Sequence, residues 1–222
     1  MPKPVVHHVH LTACASLEYL LNLTYKDCVF YSQRDNKFYC SEKGCDKEGY
    51  LKVNTLRQYW KASQDFDLFL RKKMELKPAY EMREDHAIWE GFQDKFSLTF
   101  ELYNYKPFFE RILYTVSREL VREMCTVIEY KHIFGCVFDD DHKMISLEEE
   151  IKIFQDVEEK IRQRFPLFRI KLVVCGLKMF GKGHIQQQLD AIVESRKYTD
   201  MVAGFDMVNE EDYNPPIEDF LE

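Results

Sequence analysis

No run of about 18 or more apolar residues occurs in this chain, so the sequence offers no transmembrane helix and no membrane partner. The basic stretch and short apolar core of a secretory leader are missing too, and as written the chain reads as cytoplasmic. Positive charge is not in excess either: 31 Lys and Arg stand against 38 Asp and Glu, a net charge of −7. An anionic polymer finds nothing to draw it onto such a surface, which argues against nucleic-acid binding. Also absent is the glycine-rich turn that follows the first strand of a nucleotide-binding open sheet. Apolar residues are plentiful: at 45%, with 14% aromatic, 222 residues can bury a sizeable core.

In place of that glycine turn stand histidines. Pro4-Val5-Val6-His7-His8-Val9-His10-Leu11 is short and apolar and reads as a strand. Side chains alternate along a strand, so His8 and His10 point the same way and Val9 the other. Two convergent imidazoles are half of a first-row metal site, since a catalytic zinc usually keeps three protein ligands and an open position. A His-rich expression-tag remnant is the bland alternative, and it fits poorly inside an apolar strand.

Seven cysteines leave the compartment open. Three of them, Cys28, Cys40 and Cys45, fall in a polar, turn-rich segment, where a disulfide, reduced thiols in a surface insertion, or an unorthodox zinc knuckle would each fit. Asn22-Leu23-Thr24 just upstream is an acceptor sequon, meaningful only in a secreted protein.

Further on, apolar spacing predicts helices over 56–72, 85–103 and 106–123, the last with a stripe of Phe109, Ile112, Leu113, Val116, Leu120 and Val121. The β-branched run 125–130 then reads as a buried strand with Glu129 near its end, where it can pair with Lys131 or Lys178. Ser146-Leu147-Glu148-Glu149 is a capping box opening a helix that stops before Pro166. A strand over 168–175, a loop over 176–184, a helix over 185–197 and a strand over 201–206 follow. Alternating strands and helices argue for a parallel sheet, either an α/β barrel or an open doubly wound sheet. The missing glycine turn, and the position of His8, His10, Glu129 and Asp206 at or near the C-terminal ends of strands, favour a TIM (β/α)8 barrel of which about the first four units are present. His132, His142 and His184 read as solvent-exposed, and 210–222, with Pro215-Pro216, as a solvated tail or unfinished loop.

Met1-Pro2-Lys3 followed by His8-Val9-His10, the segment Val127-Ile128-Glu129-Tyr130 and the run from Val202 through Gly204-Phe205-Asp206 to Glu211-Asp212 together resemble the adenosine deaminase superfamily of metal-dependent hydrolases. The nearest branch is the adenosine-deaminase-related growth factors, whose glycosylated, disulfide-closed insertion after strand one resembles residues of about 22–54 here, with Cys28 and Cys45 as the possible disulfide. The resemblance implies one domain over 1–222, the N-terminal half of a zinc-dependent enzyme converting adenosine or 2'-deoxyadenosine to inosine and ammonia. It implies His8 and His10 as Zn2+ ligands, with zinc lowering the pKa of an attacking water. It implies Asp206, Asn209, Glu211 and Thr12 as substrate-binding positions, and an extracellular location.

Departures from the family pattern are visible. An aspartate is usual one or two residues after the second zinc histidine, where Leu11 and Thr12 stand; Thr12 offers a hydrogen bond but no charge. A glycine is usual at Asn209, and asparagine tolerates the left-handed backbone better than most residues. Asp206 could instead cap a loop. The family's proton shuttle and later ligands correspond to nothing before Glu222, so no catalytic residue is expected within the chain. The expectation is a half-enzyme inactive alone, or a non-catalytic nucleoside- or partner-binding remnant. Open sheet edges would also favour self-association, a homodimer included.

Overall fold

The stretches read as four strands form one parallel sheet in the computed structural model, which describes residues 4–76, 85–210 and 213–220. In chain order the elements are β1 (Val5–His10), α1 (Leu17–Leu23), β2 (Val29–Ser32), β3 (Lys37–Cys40), β4 (Leu51–Lys52), α2 (Val53–Tyr59), α3 (Ser63–Met74) and α4 (Asp85–Asn104). Then come α5 (Lys106–Arg122), β5 (Val127–His132), α6 (Leu147–Arg162), β6 (Arg169–Leu177), α7 (Gly181–Ser195) and β7 (Val202–Val208). The chain divides into two units, one of Met1–Cys14, Glu110–Val137 and Met144–Glu222, the other of Ala15–Phe109 and Phe138–Lys143. Among the described residues no helix is long and apolar enough to cross a membrane.

In the first unit the sheet order is β1-β5-β6-β7, every pairing parallel, so each new strand is added beside the last. Period-two alternation explains its two faces. Ile128, Tyr130, Ile170, Leu172 and Val174 are fully buried, and the stripes of α6 (Ile151, Phe154, Val157, Ile161) and α7 (Ile185) are buried with them. Both helices pack on β6. The Ser117 hydroxyl of α5 meets the Tyr130 phenol at 2.8 Å, which satisfies both buried oxygens. Each large apolar side chain buried here contributes roughly 1.5–3 kcal/mol. Gly176 lets α7 approach: a Cβ there would lie 2.5 Å from Ile185 Cδ1 and 3.1 Å from the Phe205 ring.

The Ser146 side chain caps α6 by accepting from the Glu149 amide, as the capping box predicts. Four residues on, Glu150 is completely buried and accepts from the Gly135 amide at 3.0 Å while pairing with His132 Nε2 at 2.6 Å. His132 is therefore a buried core histidine, contrary to its expected exposure. The segment 176–184 also departs from the expected loop: β6 runs on to Leu177, a 3-10 turn covers Lys178–Phe180, and α7 begins at Gly181.

The second unit holds an antiparallel sheet, β3-β2-β4, formed by the stretch that sequence alone gives as turn-rich. Val29, Tyr31, Phe38 and Cys40 are buried in it, and the tight connection uses Asn36 at φ 50°. No disulfide closes this segment: Cys28 and Cys45 are free thiols. Their surroundings differ, since Cys28 lies buried beside Glu42 and Cys40, whereas Cys45 lies by Tyr39, Asp46 and Lys47. The single helix expected over 56–72 is two helices. Trp60 and Ala62 are extended between them, which turns the chain so that the Trp60 ring packs edge-on against Phe66 and tilted against Phe69 of α3, each at 5.4 Å. His142 is not exposed either; it is sandwiched between Tyr39 (4.1 Å) and Phe138 (4.7 Å).

Removing one partner of the Glu150–His132 pair leaves a buried polar group uncompensated, so Glu150→Ala is expected to cost ~3–5 kcal/mol. Glu148→Ala, at an exposed position of the same helical turn, should cost under about 0.5 kcal/mol. Urea unfolding of the two variants checks this, and equal costs would contradict the assigned network.

Candidate metal and substrate site

The sheet's other face carries ionisable side chains. Along β5, Ile128, Tyr130 and His132 are buried, and Glu129 and Lys131 alternate with them on the half-exposed side. β1 joins this face through a bulge. Val5 and Val6 pair with Val127 and Ile128, but Val9 and His10 pair with Tyr130 and Lys131, so β1 holds one extra residue at His7–His8. Strict alternation breaks there. His7 Nδ1 comes to 2.8 Å from Glu129 Oε2. Glu129 thus pairs with His7 and not with Lys131 or Lys178.

Past the bulge His8 and His10 converge, with Nε2 atoms 3.0 Å apart and ring centroids 5.0 Å apart. Two imidazole nitrogens on one tetrahedral zinc lie roughly 3.3 Å apart, given bonds of about 2.0–2.1 Å, so the pair suits two ligand positions. His10 is held below its ordinary pKa, first by burial, then by His8 and Lys131, with Asp206 acting in the opposite direction. That favours the neutral ring a metal requires. The set stops at two: among the described residues no cluster of three or more His, Cys, Asp or Glu side chains could hold a metal.

Lys131 supplies the strongest feature of this face that sequence reasoning missed. Its ammonium donates to the Asp206 carboxylate, across the intervening β6. Asp206 lies within β7, paired with Cys175, so it faces the sheet and does not cap a loop. The signal was present, since Lys131 follows Glu129 by two residues in one strand and must share its face.

The other candidate positions divide. Leu11 is buried and Thr12 half-buried in a 3-10 turn directly after β1. Asn209 follows β7 at φ 140°, and its Oδ1 accepts from the Glu210 amide (2.6 Å) and from Asn214 Nδ2 (3.2 Å). Its side chain therefore braces its own turn. Glu211 lies outside the described residues. His184 is half-buried beside Phe180, and burial holds its pKa low.

No protein-family model matches the chain. Individual proteins do, over its whole length. The relatives are adenosine deaminases. The chain is 23% identical to the adenosine deaminase of Phlebotomus duboscqi over 98% of its own residues and 44% of that protein's. It is 23% identical to adenosine deaminase 2-A of Danio rerio over 98% of the chain and 46% of the relative, and 23% identical to adenosine deaminase 2 of Homo sapiens over 100% and 46%. The chain thus spans less than half the length of the adenosine deaminases it matches. A zinc-bound amidohydrolase from Burkhoderia ambifaria shares its fold at a TM-score of 0.58 and 14% identity, over 99% of this chain and 46% of that one.

His10 is expected to titrate below 6.5 in the folded chain. Since the unfolded chain then binds that proton more readily, stability is lost as pH falls below about 6.5. A pH titration of the His10 ring by NMR checks this, and a midpoint above that of a free imidazole would contradict the assigned burial and neighbours.

Proposed function

We propose that this chain carries the metal-binding strand and part of the nucleoside-facing wall of a zinc hydrolase of the adenosine deaminase type, acting on adenosine or 2'-deoxyadenosine. Its four parallel strands are read as half of a (β/α)8 barrel. The observation that carries this reading is the convergence of His8 and His10 at the end of β1, on the sheet face opposite the core. Similarity to adenosine deaminases along the whole chain supports it, as does the likeness of fold to a zinc-bound amidohydrolase.

In this reading His8 and His10 hold zinc, which when bound supplies Lewis acidity for activating water. Asp206 accepts hydrogen bonds at the ligand-facing side of β7, and the Thr12 hydroxyl offers a neutral contact after β1. Asn209 shapes the turn after β7, and the resemblance adds Glu211 as a substrate-binding position. Two histidines are fewer than the three protein ligands that a catalytic zinc normally keeps, so these 222 residues should hold zinc weakly. A positioned proton shuttle contributes ~10²- to 10⁴-fold, and none is assigned here.

Adenosine turnover by the purified 222-residue chain with added zinc should therefore stay at background. Loss of adenosine absorbance measures it, and zinc-dependent turnover abolished by His8→Ala would contradict the half-site account. Equilibrium dialysis tests the ligands themselves. Zinc retention should fall in both His8→Ala and His10→Ala, and retention unchanged by either would contradict the metal assignment.

A second reading, a nucleoside- or partner-binding protein without the chemistry, is favoured by the burial of Leu11 and by Asn209 spending its side chain on its own turn. Adenosine binding indifferent to zinc removal and to His8→Ala would favour it.

A further inference from the structure

We infer that Lys131 is the resident cation of the His8/His10 site, its ammonium, tied to Asp206, lowering the affinity of the histidine pair for zinc. The inference rests on the reading of His8 and His10 as metal ligands.

Three observations carry it. Lys131 is the register partner of His10 on the adjacent parallel strand, so both side chains leave the same face one strand apart. The Lys131 side chain is only 9% exposed, while Asp206 is 38% exposed. A lysine stem is flexible and its ammonium strongly hydrated, so a lysine serving solubility alone would extend into water. Here it reaches across the sheet. The row it crosses is open: Lys131 pairs with Val173, Val173 pairs with Gly204, and a Cβ on Gly204 would meet nothing within 4 Å.

Two consequences follow for a divalent ion. A fixed positive charge beside His10 repels it, and the same charge neutralises the carboxylate that would otherwise attract it. Of the other charged groups on this face, Glu129 pairs with His7, and the Lys171 ammonium donates to the Asp200 carbonyl, before the start of β7 and away from Asp206. In a partly screened site, a unit charge at side-chain distance from a divalent ion changes affinity by about tenfold or more. Lys131→Gln removes that charge and frees Asp206, whereas Lys131→Arg keeps the charge.

Isothermal titration of zinc into the 222-residue chain tests this on the wild type, Lys131→Gln and Lys131→Arg, each with and without His8→Ala to isolate binding that needs the histidine pair. Thermal unfolding verifies that each variant is folded, and Lys131→Met, which keeps the apolar stem, replaces the glutamine variant if that one unfolds. The expected result is His8-dependent zinc binding about tenfold tighter in Lys131→Gln and within about twofold of wild type in Lys131→Arg. Equal His8-dependent affinity in all three overturns the inference and leaves the metal reading standing. Equal tightening in the arginine variant also overturns it, because geometry and not charge would then be responsible. Absence of His8-dependent binding in every variant removes the metal reading and the inference together.

Discussion

Strand alternation is the constraint on which the first unit depends. On four parallel strands every second side chain must go to one face, and here that half is apolar and lies under α6 and α7. Burial of Ile128, Tyr130, Ile170, Leu172 and Val174 supplies the stabilisation, at roughly 1.5–3 kcal/mol for each large apolar side chain. Exposed ion pairs are worth about 1 kcal/mol or less. The polar face carries one such contact in His7–Glu129, with the His7 side chain 72% exposed, and that contact adds little to the stability of the sheet. The face is free to carry chemistry instead.

The polar face is organised as pairs: His7 with Glu129, His8 with His10, and Lys131 with Asp206. The bulge in β1 makes this possible, because an extra residue at His7–His8 lets His7 reach Glu129 without displacing the convergence of His8 with His10. On the opposite face the buried His132–Glu150 contact ties the end of β5 to the first turn of α6. It therefore fixes the strand end that presents Lys131. Core and site are coupled through single strands whose neighbouring residues serve opposite faces.

Much of this was legible in residue pattern. The four parallel strands, the Ser146 cap and the shared direction of His8 and His10 follow from periodicity and spacing, which are local properties. What was not legible depended on tertiary partners. Trp60 breaks a continuous helical pattern because its ring has Phe66 and Phe69 to meet. His132 is buried because Glu150, 18 residues later, receives it. The hairpin over 29–40 hid behind the polar residues of its own turn, although Val29-Phe30-Tyr31 and Phe38-Tyr39 are strong strand formers. The pairing of Cys28 with Cys45 came from resemblance, and in the structure both are free thiols.

The central claim is that His8 and His10 are metal ligands on the polar face of this sheet. X-ray absorption at the zinc edge, on the zinc-loaded 222-residue chain, addresses it most directly, because seven cysteines offer an alternative set of donors. The account predicts a first shell of nitrogen and oxygen with two imidazoles, reduced by one in His8→Ala. A sulfur-dominated shell, unchanged by that substitution, would contradict it.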